Sequence, residues 1–240
     1  MTHVAHPYIQ RIGVNRDWRS RWFTTDPKKF REYLRVDAAL RKLLKVRLKG
    51  LSTDAIEIER SEKDIRIIIK TARPGLIIGR NGEGINKLKK DIDLFLRKQK
   101  TTDSPELKID IEEIRSPESS AQIVGQMISE GLEKRLTFRR VMKQTVEKVM
   151  ANRDVEGVRI ILSGRLGGAD MARKEELKKG RVPLQTLRAD IDFARVEANL
   201  PYGVIGIKVW IYRGEVFGDR KAGQKEQAPR RENSDRNSTN

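Results

Sequence analysis

The chain has 240 residues, with 51 Lys and Arg against 34 Asp and Glu, giving a formal charge of +17 at pH 7. That excess argues against an ordinary acidic cytosolic enzyme and points to a polyanionic partner. With no cysteine and only two histidines, His3 and His6, a disulfide framework, a thiolate zinc site and a cysteine nucleophile are excluded.

The length and a 37% hydrophobic content fit two compact domains with modest cores. Charge is uneven: residues 1–50 carry thirteen basic and four acidic side chains, whereas residues 51–115 carry fourteen and thirteen. A polyanion is therefore expected to meet the front of the chain and a basic tail most strongly. Within the arm of residues 1–26, Arg11, Arg16, Arg19 and Arg21 interrupt any apolar signal core. No run in the chain is long enough to span a bilayer, so a soluble intracellular protein with no membrane partner is expected. Trp18, Trp22 and Phe23 lie among Arg16, Arg19 and Arg21. They read either as an arm that stacks on bases and grips phosphates or as rings that anchor the arm to its own domain.

Asp26 as N-cap and Pro27 at the first helical position open a helix over 27–49, whose apolar positions are Phe30, Leu34, Ala38, Leu40, Leu43, Leu44 and Leu48, and Gly50 ends it. Ile56 and Ile58, then Ile65, Ile67 and Ile69, alternate with polar residues and predict a strand hairpin. After Pro74 come a short apolar turn, the Gly79-Arg80-Asn81-Gly82 loop, a helix marked by Ile85, Leu88, Ile92, Phe95 and Leu96, and a strand at Leu107, Ile109 and Ile111. Pro117 opens a second unit with two amphipathic helices, at 121–132 and 141–149, followed by strands around Val158–Leu162, Ile191–Ala198 and Ile205–Ile211. The fold class is thus two α+β domains, an N-terminal one over 27–116 and a C-terminal one over 117–218. The second carries two helices on a mainly antiparallel sheet. Residues 219–240 have too little apolar content to order themselves and read as a disordered basic tail.

A Gly-x-x-Gly loop at a helix start turns its amides and the positive helix end toward phosphate, and Arg80 adds charge. Within a strand, strand, helix, helix, strand order, Gly79, Arg80, Asn81 and Gly82 read as the clamp of a KH module. The same stretch lacks the Lys and Ser/Thr of a P-loop and the spacing of a dinucleotide-binding turn. Arg139 and Lys143 share a helix face beside Arg140; they either grip a single strand or form a solvated face with Glu147 paired to Lys143. Gly164-Arg165-Leu166-Gly167-Gly168 with Arg173 and Lys174 reads either as a phosphate-contacting turn or as a plain loop. No carboxylate or histidine sits in a pattern that supports catalysis, and no cofactor or metal is expected.

These residues resemble one family, the universal small-subunit ribosomal protein number three of bacterial type. The likeness runs from about residue 3 to residue 217. It lies in His6-Pro7, Arg11, Gly13, Trp18, Ser20, Trp22 and Phe23; in Thr71-Ala72-Arg73-Pro74-Gly75 with Ile78-Gly79 and Gly82-Glu83; in Phe138-Arg139-Arg140 with Lys143; in Ser163 to Ala169; in Gly180 to Leu184; in Thr186 to Asp192; and in Tyr202 to Gly206 with Lys208 to Ile211. The resemblance implies a type II KH domain and a second α/β domain seated in the subunit head on small-subunit ribosomal RNA. It implies no enzyme activity, and contacts with small-subunit proteins ten and fourteen. It also implies that Arg139, Arg140 and Lys143 face messenger RNA where it enters the subunit and assist its unwinding. Ribosomal-RNA contacts are expected from Arg11, Arg16, Arg19, Trp22, Arg165, Arg173 and Lys174. A cytoplasmic, ribosome-bound protein follows, with a plastid as the other host compartment. Members commonly carry two lysines in the glycine loop where this chain has Arg80 and Asn81, and residues 97–105 look longer than usual. The alternative is a free KH-domain regulator of RNA, which leaves the rear-domain motifs unused. A Lys-based nucleic-acid lyase has no identifiable desolvated lysine.

Overall fold

The computed structural model describes residues 5–61, 64–98 and 106–217. The expected tail of 219–240 and residues 99–105 of the expected extension lie outside them. Two four-stranded sheets, each covered by helices on one face, form the two halves of the chain.

In the front half, a short helix α1 (Pro7–Gln10) and a two-residue strand β1 (Ser20–Arg21) precede the long helix α2 (Pro27–Arg47). Asp26 caps α2 by accepting from the Lys28 amide at 2.8 Å. Strands β2 (Thr53–Arg60) and β3 (Asp64–Thr71) form the expected antiparallel hairpin. Helices α3 (Pro74–Ile78) and α4 (Glu83–Lys98) follow, and β4 (Glu106–Glu113) lies parallel to β3. The sheet order is β1-β2-β3-β4, with β1 parallel to β2. Its apolar face, including Ile58, Ile65, Ile67 and Ile69, packs with Leu40 and Leu44 of α2 and Ile92 of α4.

The spacing puts Phe30, Leu34 and Ala38 in the buried stripe of α2, but all three are exposed. The real stripe starts at Val36 and runs through Leu40, Leu44 and Leu48. Asp37 turns inward beside it because it serves a polar cluster: it accepts from Trp22 Nε1 at 2.8 Å and pairs with Arg60 at 2.7 Å.

In the rear half, α5 (Ala121–Glu133) and α6 (Phe138–Met150) pack on β5 (Gly157–Gly164), β6 (Arg173–Gly180), β7 (Ala189–Leu200) and β8 (Gly203–Glu215). All pairings are antiparallel, in the order β6-β5-β8-β7. Val124, Ile128, Val141 and Val146 meet Val158, Ile160, Ile207 and Val209 across the core. Burying each such side chain is worth about 1.5–3 kcal/mol. Strand β6 was not expected, since Arg-Lys-Glu-Glu-Leu-Lys-Lys-Gly has one large apolar residue. It exists because β5 pairs with it along its whole length, a tertiary pairing that overrides a weak propensity at a sheet edge.

The opposite sheet face buries Ile161, Ile191, Trp210 and Tyr212 beneath Val182 and Leu184. The arm reaches this face too, where the His6 ring meets Phe193 edge-on at 4.8 Å. Between the halves, Gln126 of α5 donates to the Thr53 carbonyl of β2 at 3.0 Å.

Candidate nucleic-acid interface

Gly79 has φ +71°, which lets α3 stop and the chain swing directly into a tight turn over Arg80–Gly82. Asn81 at φ 52° and Gly82 at φ +77° both adopt the left-handed region, and Glu83 opens α4. A third glycine, Gly84, is what brings the two helices together: a Cβ there would lie 2.3 Å from the Ile77 carbonyl oxygen. Arg80 and Asn81 are exposed, and the turn precedes the amide-bearing start of a 16-residue helix. The loop therefore sets an exposed guanidinium and two left-handed residues directly before a helix start.

The outer face of the front sheet is nearly self-neutralised. Arg21 pairs with Glu57 at 2.6 Å, Lys70 with Glu57 at 2.7 Å and Lys108 with Asp64 at 3.0 Å, and Arg66 binds Asp110. This is the physical form of the near balance of charge over residues 51–115.

A different arrangement holds at the start of α6. Val141, Met142, Thr145, Val146 and Val149 face the core, which leaves Arg139, Arg140 and Lys143 outward. Arg139 is 72% exposed and makes one long contact, 3.7 Å, with Glu175 of β6. Arg173 approaches the same carboxylate at 3.5 Å, and both guanidiniums lie beside the Phe138 ring, at 5.6 and 5.4 Å from its centre. Among the described residues Lys143 and Glu147 form no ion pair, and both stand on the exposed face of α6. The structure thus brings Arg139, Arg140, Lys143 and Arg173 onto one helix-side surface. Lys174, one residue along β6, points to the other side of the sheet opposite Ser163. Both residues belong to a strand rather than to a glycine-rich loop.

Arg165 is partly spent on its own turn. Its guanidinium donates to the Ala169 carbonyl at 2.8 Å and the Tyr202 carbonyl at 3.4 Å, and sits 3.3 Å from Asp170. Leu166 is buried beneath the turn, so this segment is a fold element as well as a basic surface.

The arm requires a correction. Arg11 is fully buried and donates to four carbonyls: Ala189 at 2.7 Å, Thr186 at 2.8 Å, and Pro7 and Leu184 at 3.0 Å. Burial lowers its pKa while the Asp190 charge acts in the opposite sense. Four of its five N–H groups are spent on carbonyls, and the side chain is closed to solvent and so to phosphate. Arg16 is likewise engaged, 2.7 Å from Asp190. Trp22 packs against Phe30 and Tyr33 with its N–H on Asp37, so its ring anchors the arm to its own domain. Arg19 is exposed with its guanidinium over the Tyr8 ring. The open rings are Trp18, 63% exposed, and Phe23, 88% exposed.

Asp37, Glu175 and the exposed ring of Tyr202 stand in no pattern that marks them as site residues in the sequence. The nearest approach to one is Tyr202 in its Pro-Tyr-Gly turn, because an aromatic at a turn tip is hard to bury.

Comparison with known proteins finds two family models along the chain. A family model described as KH domain matches residues 39–119, and one described as Ribosomal protein S3, C-terminal domain, matches residues 128–211. The small ribosomal subunit protein uS3 of Caldicellulosiruptor saccharolyticus is 45% identical over 222 residues, covering 92% of this chain and 96% of the relative. The chain belongs to the uS3 family. The uS3 proteins of Alcanivorax borkumensis, 44% identical over 95% of both chains, and of Endomicrobium trichonymphae, 46% identical over 90% of both, agree in length as well. As a uS3 family member the chain is a structural ribosomal protein and not an enzyme. Among the described residues no helix is long and apolar enough to cross a membrane.

Proposed function

We propose that this chain holds part of the small-subunit head together on ribosomal RNA and contacts messenger RNA where it enters the subunit, assisting the opening of structured message. The observation that carries the message contact is the outward Arg139, Arg140 and Lys143 face of α6, joined by Arg173 and opposed by one shared carboxylate, Glu175. Cations of this kind grip phosphate without reading bases, as a surface that handles every message requires. The Gly79–Gly82 turn supports a ribosomal-RNA contact through amides and Arg80, although it carries less charge than a two-lysine loop would. Arg19, Arg165 and Lys174 are further candidates for ribosomal RNA. Small-subunit proteins ten and fourteen are the proposed neighbours, and the protein works ribosome-bound in the cytoplasm.

The test replaces Arg139, Arg140 and Lys143 together by alanine in reconstituted subunits. Assembly is expected to survive while translation through stable message hairpins slows. Unchanged speed through such hairpins would sink the assignment.

A further inference from the structure

We propose that the cavity between the α5–α6 turn and the Gly167–Gly168 turn binds one unpaired nucleobase of a single RNA strand, holding it against Tyr202. The proposal rests on the message-contact reading of α6 and deepens it by naming what the same surface does with a base.

The cavity is about 410 Å³, within the range of small-ligand pockets, roughly 300–1,000 Å³. That admits a base with its sugar and excludes a duplex. Its walls include Leu136, Phe138, Pro201 and Tyr202. Two rings flank its glycine floor. A Cβ on Gly167 would stand 3.9 Å from Phe138 Cε1, and one on Gly168 would stand 3.6 Å from Tyr202 Cε2. The two-glycine turn therefore runs between the rings without filling the space beside them. Tyr202 is 61% exposed and Leu136 is 45% exposed, so the apolar surface is open to an incoming flat group. Arg165 fixes this geometry by joining the Ala169 and Tyr202 carbonyls through one guanidinium.

The rim says which flat group. Arg135 lines the cavity and has φ +61°, a left-handed position just past a helix that glycine ordinarily fills. Here it carries a guanidinium instead. The Arg139 and Arg173 guanidiniums lie beside the Phe138 ring that forms one wall. An apolar slot with an exposed ring and a cationic rim matches a base with its phosphates outside. An uncharged apolar side chain of a protein would leave that rim unanswered.

The experiment measures binding of the full chain to a single-stranded RNA and to the same RNA with abasic positions. Base–aromatic stacking predicts about tenfold tighter binding of the intact strand. Tyr202→Ala is expected to remove that preference while leaving abasic affinity unchanged, and Tyr202→Phe to keep it. A 2-aminopurine base in the strand should be quenched by the wild-type chain and by Tyr202→Phe, but not by Tyr202→Ala. Equal affinity of the wild type for both strands would overturn the proposal, as would a preference that survives Tyr202→Ala, which would place the base elsewhere. Alanine at Arg139, Arg140 and Lys143 should weaken both strands alike. If it weakened neither, the message-contact reading would fail, whatever the abasic comparison gave.

Discussion

The carboxylate of Asp54, in β2 of the front domain, accepts a 2.6 Å hydrogen bond from the hydroxyl of Ser120, the residue that caps α5 of the rear domain. One acidic group thus sits at the start of the rear domain's first helix while belonging to the other half of the chain. Burial, and then the nearby charge of Asp192, push its pKa above the usual carboxylate value, against the Ser120 hydrogen bond and the attraction of Arg19 and Arg213.

A group whose pKa is raised on folding favours the folded state below its ordinary pKa and loses that contribution as pH rises through the folded value. Stability should therefore fall from about pH 4 upward until Asp54 ionises in the folded chain. Asp54→Asn keeps an acceptor for Ser120 and cannot ionise. It should flatten this part of the profile and hold or raise stability at neutral pH. Thermal melts of both chains across that range check it; superimposable pH profiles would refute the role given to Asp54.

Arg11→Met should detach the arm from the rear domain. The four carbonyls now sharing one guanidinium would be left without that donor, which costs about 3 kcal/mol or more. Arg11→Lys should not restore stability, because a single ammonium cannot reproduce the planar fork. Denaturant unfolding curves give the answer, and a loss under about 1 kcal/mol in Arg11→Met would count against a buried structural role.

Asp37→Ala removes the carboxylate from a pair in which the Arg60 and Asp37 side chains are only 4% and 1% exposed. The guanidinium would stay buried opposite the Tyr33 ring, whose centre is 4.3 Å away. A destabilisation of about 3–5 kcal/mol is expected. Trp22 should also loosen, so a red shift of tryptophan fluorescence at low denaturant gives a second readout.

Gly84→Ala should disturb the clamp and Gly75→Ala should not. A Cβ at Gly84 collides with the Ile77 carbonyl, whereas one at Gly75 meets nothing within 4 Å. We expect Gly84→Ala to lose about 1–3 kcal/mol and to weaken RNA binding. Gly75→Ala should match the wild type in RNA affinity. Equal behaviour of the two variants would show that close helix approach is not what shapes the turn.

Much of the fold was legible because apolar period and turn chemistry are local. The β2–β3 hairpin, the cap at Asp26 and the outward Arg139, Arg140 and Lys143 follow from spacing alone. Strand β6 was hidden, since its residues favour a strand only when β5 supplies the ladder. The inward turn of Asp37 was hidden for a similar reason, as its partners Trp22 and Arg60 come from before and after its helix.

The same division holds for function. The sequence by itself determined the charge, the two domains, the glycine turn and the family motifs, all of which depend on residue type and near-neighbour order. Only the tertiary structure decided which cations are free to meet a polyanion. Arg11 is as positive as Arg139 on paper, but it is buried with its donors turned to carbonyls of residues 184, 186 and 189, while Arg139 stays exposed with one long ion-pair contact. A guanidinium's charge is fixed by its chemistry. Whether it is available depends on acceptors that folding brings from more than 170 residues away.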